Sequence, residues 1–244
     1  MKFLLSAFFL LFATAAGVAQ SPSNILKQAE KAFGGPKNLQ SLRSLSRTGT
    51  IKRLGDGTEG KYVYQTSQPN LLNISYDLGG FEVESGYNGR SSWSRNSRDG
   101  LQTLTGKASI SLIAKSLFRN NLWLKAKDDK SKITAGGQTN INGKTANGVV
   151  ITTQKGVAIK LWFDAATGLP VRDEVPNGGE IEITDYSDYR DVSGVNKPLH
   201  SGLRAAAKPM KFTSVISRQT RRLLPRNLIS PCCPMPRCPI SPRF

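Results

Sequence analysis

The sequence predicts a mainly β (α+β) domain: an antiparallel meander of short strands, preceded by one helix and interrupted midway by another. Three observations carry this reading. Glycine turn signals recur at hairpin spacing between residues 45 and 200. The runs between them alternate apolar and polar residues. Two segments break that alternation and carry helical spacing instead.

The chain opens MKFLLSAFFLLFATAAGVAQ. A positive Lys2, an apolar run from Phe3 to Phe12 and small residues at Gly17-Val18-Ala19 predict a secretory signal peptide over residues 1–19. The run is shorter than the roughly 20 residues a membrane-spanning helix requires. "SNILKQAEKAFGG" follows, with Ile25, Leu26, Ala29, Ala32 and Phe33 at helical spacing. Ser23 or Asn24 can cap its start, and Gly34-Gly35 can end it.

Asp56-Gly57, Gly79-Gly80, Asn88-Gly89, Asn142-Gly143, Thr167-Gly168 and Asn177-Gly178 then mark chain reversals. Glycine and asparagine tolerate the positive φ that tight hairpin turns demand. Leu72, Ile74 and Tyr76 oppose Asn73, Ser75 and Asp77; Phe81 and Val83 oppose Glu82 and Glu84. Val157, Ile159, Leu161 and Phe163 share one face, and Ile181 and Ile183 oppose Glu180 and Glu182. That phase breaks before Tyr186 and Tyr189, which predicts a bulge or strong twist. "ASISLIAKSLFRNN", residues 108–121, places Ile110, Ile113, Ala114, Leu117 and Phe118 at helical spacing. Both helices need an apolar surface, and the apolar face of the sheet is the one large enough.

Charge and composition narrow the function. From Gln20 to His200 there are 24 Lys and Arg against 17 Asp and Glu, scattered singly rather than in a stripe. This describes a solvated basic surface with some attraction to anionic membranes, and it gives nucleic-acid binding no footprint. From Ser201 onward nine basic residues meet no acid, and all three cysteines and seven of thirteen prolines fall there. Composition changes abruptly near residue 217, as a reading-frame shift or a divergent extension would produce; residues 218–244 are expected to be disordered. Cys232, Cys233 and Cys238 lack a fourth zinc ligand, so no metal site is expected.

No catalytic constellation emerges. The single histidine, His200, has no Ser, Cys or acid near it in a triad pattern. Glu82/Glu84 and Asp185/Asp188 are the candidate acid pairs, but Asp185 and Asp188 have Arg172 and Arg190 as ready partners. Asp164, in "LWFDAATGLPVRDE", sits at the head of a Thr-Gly turn, where its carboxylate can accept backbone N–H groups. Turn geometry accounts for it without chemistry. Trp93, Trp123, Trp162, Tyr62, Tyr64, Tyr186 and Tyr189 fit ordinary core packing, unless a strongly curved sheet leaves a cavity under its helices.

The order of segments "AFGG", "SLSRTGTI", "YVYQTSQPNLLNISYDL", "SGYNGRSSW", "LWFDAATGLPVRDE" and "TDYSDYRDVSGVNKPLH" resembles the outer-membrane lipoprotein-sorting-like proteins, with a LolA-like fold. The likeness runs from about Ser23 to Ser217, and "GYNG…W" and "FDAATGLPVR" are its most specific parts. It implies a domain over residues 20–217 in which the curved meander forms an incomplete β-barrel, covered on its concave face by both helices. The helix near residues 108–121 would act as lid or plug. Leu72, Ile74, Phe81, Val83, Leu117, Ile159, Leu161, Phe163 and Ile183 would face an acyl-binding cavity.

The implied function is a non-catalytic periplasmic carrier of lipids or lipoproteins, without cofactor, monomeric, with an envelope protein as a further partner. A solid-core interaction domain of the envelope and an envelope hydrolase acting through Asp185 or Glu84 are the alternatives. Full secretion is the alternative to the periplasm.

Overall fold

The structure is a computed structural model, and it describes residues 20–121, 123, 130–177, 180–205 and 208–215, with only the backbone of 205 and 208–215. The expected signal peptide (residues 1–19) and tail (residues 218–244) lie outside the described residues.

Among the described residues the elements follow in order: α1 (Pro22–Ala32), α2 (Gly35–Ser41), β1 (Ser44–Arg53), β2 (Glu59–Ser67), β3 (Leu71–Leu78), β4 (Phe81–Tyr87), β5 (Ser92–Asn96) and β6 (Gly100–Leu104). Then come α3 (Gly106–Arg119), β7 (Lys132–Ile141), β8 (Lys144–Thr152), β9 (Ala158–Asp164), β10 (Pro170–Asn177), β11 (Glu180–Val192), β12 (Val195–Ala205) and β13 (Lys208–Val215). The sheet is antiparallel throughout, in the order β6-β5-β4-β3-β2-β1-β13-β12-β11-β10-β9-β8-β7. Two six-stranded blocks therefore meet at β13, which pairs with β1 on one side and β12 on the other. The edges β6 and β7 do not pair, so the curved sheet stays open rather than closing into a barrel.

The turn glycines explain the meander. Gly57, Gly79, Gly80, Gly89, Gly143 and Gly168 all take positive φ, between 63° and 91°. The Asn177-Gly178 turn includes a residue outside the described ones, but Asn177 pairs with Glu180 across it. Three further reversals, at Gly100, Gly156 and Gly194, use the same conformation. Register shifts at Ala135/Gly137 and Pro170/Arg172 are the irregularities that bend and twist such a sheet. Where the alternation of β11 breaks, Asp188 takes a φ of 53°.

Ser21 caps α1, its Oγ accepting from the Asn24 N–H at 3.4 Å, rather than the expected Ser23 or Asn24. Pro22 then occupies the first turn, where its missing N–H costs nothing. Helix α2 was not visible in the sequence because a single buried Leu39 makes no period. It is held by geometry at Gly34, whose φ is 118°; a Cβ there would lie 2.0 Å from the Gly194 carbonyl oxygen. Asn38 and Asn196 complete the junction, donating to Gly194 O at 3.0 Å and to Ala32 O at 2.8 Å.

The main core lies between the concave face and the helices. Ile25, Leu26 and Ala29 of α1 and Phe118 of α3 pack on Val149, Ile151, Ile159, Leu161 and Phe163. A smaller cluster joins Leu112 of α3 to Leu45, Tyr64 and Leu72. Truncating one of these side chains to Ala would cost roughly 2–5 kcal/mol. Core and helices together fix the floor and roof of the space between them.

Candidate functional site

A partly open cavity of about 560 Å³ lies between the concave face and α3. Small-molecule sites typically fall between roughly 300 and 1,000 Å³. Strands β2, β3 and β4 supply one wall through Tyr62, Tyr64, Ile74, Tyr76, Val83 and Ser85. Leu161 and Phe163 of β9 form the floor, and Leu112 and Phe118 of α3 the roof. Alternation explains each strand contribution: every second side chain points into the concavity.

The lining is aromatic at one end. Phe33 lies 5.3 Å from Trp123 and 6.1 Å from Tyr189, centroid to centroid, and Trp123 lies 6.2 Å from Phe163. Tyr189 satisfies its hydroxyl on Pro170 O at 2.7 Å. Burial pushes the Tyr64 hydroxyl up to about 12 and raises those of Tyr62 and Tyr189 as well, so these rings stay neutral.

The opposite wall is polar, and here the structure departs from the pattern read in the sequence. Glu182, Thr184 and Tyr186 of β11 face inward, while Ile181 is 56% exposed and Ile183 lies half-buried on the other side of the strand. The reason sits on α3. Its inward face presents Ala108, Ser111, Leu112, Lys115, Phe118 and Arg119, while Ile110 and Ile113 are only half-buried. Lys115 Nζ reaches Glu182 Oε1 at 2.5 Å, and Asn177 donates to the same carboxylate at 3.3 Å. Arg119 reaches Asp173 Oδ2 at 2.8 Å and Thr184 Oγ1 at 3.3 Å, and also contacts the Tyr186 hydroxyl.

Burial works to raise Glu182, but Lys115 and then Arg119 hold its carboxyl below the usual range. Burial opposes charge on Arg119, and Asp173 and Tyr186 nevertheless raise it well above its ordinary value. Buried charge is tolerated where it is paired and hydrogen-bonded. An alternation count scores hydrophobicity and cannot see such pairing.

The nine residues singled out from sequence are therefore divided. Ile74, Val83, Leu161 and Phe163 line the cavity. Leu72 is buried behind it with Tyr64 and Leu112, and Ile159 and Leu117 belong to the packed core. Phe81 is 40% exposed at the start of β4, one position beyond the Gly79-Gly80 turn and clear of the cavity. Ile183 is on the outer side. Tyr62, Tyr64, Tyr186, Tyr189 and Trp123, read from sequence as core packing unless a curved sheet left a cavity, do line it, whereas Tyr76 and four cations, Arg47, Lys115, Arg119 and Lys197, were missed. Packing and lining use the same alternation, so the aromatic residues alone could not decide between core and wall.

The remaining candidates resolve locally. Asp164 Oδ1 accepts from the N–H groups of Ala166 at 2.8 Å and Thr167 at 3.2 Å, so it pins its turn. Asp185 pairs with Arg172 at 2.5 Å and with Arg204; Glu84 pairs with Arg95 at 3.0 Å. Asp188 pairs with Arg190 at 3.2 Å and with His200 Nδ1 at 3.2 Å. Trp162 sits with Ile141, Ala146 and Val171, its Nε1 donating to Glu174 at 2.6 Å, and Trp93 is buried against Gly86. No group of three or more His, Cys, Asp or Glu with metal-site geometry occurs among the described residues.

No protein-family model and no curated protein matches the sequence. Solved structures do match in fold. A LolA superfamily protein from Nitrosomonas europaea aligns with TM-score 0.50 and 17% identity, over 85% of this chain and 96% of that one. The fold is LolA-like. A DUF1329 family protein from Desulfovibrio piger aligns equally well, at TM-score 0.50 and 13% identity, over 80% of this chain and 92% of its own. At these identities the likeness concerns the LolA-like fold, an open curved sheet under helices, and leaves function to the cavity itself.

Proposed function

We propose that the chain is an exported, non-catalytic binding or carrier protein for acylated lipids or lipoproteins of the bacterial envelope. The observation that carries this is the cavity of about 560 Å³ between the concave sheet and α3, walled by tyrosine, isoleucine and valine and floored by Leu161 and Phe163. Each methylene moved from water into such a space contributes about 0.8 kcal/mol, so an acyl chain binds without a dedicated contact for every carbon. A solid-core interaction domain would have no use for this void. A hydrolase acting through Glu84 or Asp185 would need them inside it, whereas both are engaged by arginines elsewhere.

In this reading α3 is the roof, held down by the Lys115–Glu182 and Arg119–Asp173 pairs, and the acyl chain lies against Ile74, Val83 and Phe163. A fluorescent acyl probe tests the proposal. Saturable one-to-one binding is expected, weakened at least about tenfold when Val83→Trp fills the wall. Absence of saturable binding, or binding indifferent to Val83→Trp in a folded variant, contradicts it.

A further inference from the structure

Among the described residues four cations line the cavity, and Glu182 and Asp173 are taken by Lys115 and Arg119. The other two cations, Arg47 of β1 and Lys197 of β12, have no carboxylate partner among the described residues. Arg47 Nε is buried without a hydrogen bond, and its guanidinium carbon lies 5.6 Å from the centroid of the Tyr64 ring. Lys197 is 5% exposed, and its Nζ lies 5.7 Å from the centroid of the Phe33 ring.

Aromatic faces offer a cation partial compensation only. An ammonium taken out of water without a counter-ion is costly, and a cavity built for chains alone would place Met or Leu at this position. Burial, and then repulsion from Arg47, pull the Lys197 ammonium down to about 7, so the two cations feel one another. Two cations that line one cavity, with no carboxylate partner among the described residues, form half of an ion cluster.

We propose that Arg47 and Lys197 form a head-group site inside the cavity that takes the oxyanion end of an acyl ligand, a carboxylate or a phosphate. This rests on the carrier reading and names the chemistry of its cargo. Arg47 offers a planar fork of donors, and Lys197 a compact point charge, the combination that suits either oxyanion. The chain then lies along Ile74, Val83 and Phe163 while the head is neutralised at Arg47 and Lys197.

The experiment compares palmitate, hexadecyl phosphate and hexadecanol as ligands of the purified protein, by displacement of the acyl probe. At least one anion is expected to bind roughly tenfold to a hundredfold tighter than the alcohol. Palmitate ahead identifies a fatty-acid carboxylate, and hexadecyl phosphate ahead identifies a phospholipid-type head. Lys197→Met is expected to remove most of the anion's advantage over hexadecanol, and Arg47→Met provides an independent second variant. Equal binding of all three ligands overturns the head-group site and leaves the carrier reading standing. Equal anion preference in both variants also overturns it. Binding of none overturns the carrier reading and the site with it.

Discussion

Lys197→Met should make the protein more stable, and the gain should shrink as pH rises. In the unfolded chain this lysine titrates near 10.5, and in the folded protein at about 7, because burial and Arg47 both oppose its charge. The gap between those values, at about 1.36 kcal/mol per pH unit, sets a ceiling of ~5 kcal/mol on what the buried lysine costs. Local relaxation and entry of water lower that figure, so a gain of at least about 1 kcal/mol is expected near neutral pH.

The sign follows from proton counting. Below pH 7 both states hold the proton and the penalty is complete. Between pH 7 and 10.5 the unfolded state holds more protons, so wild-type stability climbs with pH, and above that window the penalty is gone. Urea unfolding of both proteins at several pH values between about 6 and 9 reads this directly, as a difference that narrows toward alkaline pH. A variant that is less stable than wild type, or a difference independent of pH, would refute the burial of an unpaired cation.

Arg119→Met leaves the fully buried Asp173 carboxylate without its counter-ion, bonded to the Tyr186 hydroxyl, and should cost about 3–5 kcal/mol, whereas Arg119→Met with Asp173→Leu should recover most of it; similar stabilities for the two would contradict the buried pair. Asp164→Ala removes the acceptor for two turn N–H groups and should cost about 1–2 kcal/mol by urea unfolding, with acyl-probe binding unchanged. Burial works to raise the Asp164 carboxyl, but hydrogen bonds from Ala166 and Thr167 together with Lys144 hold it below its ordinary 3.8. Its contribution is therefore complete above that pH and fades as acid approaches the lower folded value. At the other extreme, the raised hydroxyls of Tyr62, Tyr64 and Tyr189 mean that the unfolded chain ionises first above pH 10, so stability should fall there. Tyrosinate absorbance rising together with unfolding checks this, and titration at the ordinary value in a folded protein would oppose it.

The sheet was legible because its rules are local. Gly57, Gly79, Gly89 and Gly143 announce their reversals through the positive φ they permit, and the runs between them alternate with period two. The site was legible only where alternation and apolarity coincide, at Ile74, Val83, Leu161 and Phe163. At β11 they part company: Glu182 turns inward and Ile181 outward because Lys115, more than 60 positions earlier in the chain, supplies the counter-charge. Helix α2 depends on the contact of Gly34 with Gly194, which no local period encodes. Arg47 and Lys197 look like ordinary surface cations in β1 and β12 until the two blocks of the sheet curve toward one another and enclose them.

The central claim is that the cavity holds acyl cargo. Mass spectrometry of organic extracts, taken from protein purified out of an envelope fraction without detergent, tests it most directly. The account predicts a stoichiometric acyl ligand with an anionic head. A folded, monodisperse protein that carries no lipid from the envelope and takes up none when it is offered would contradict it.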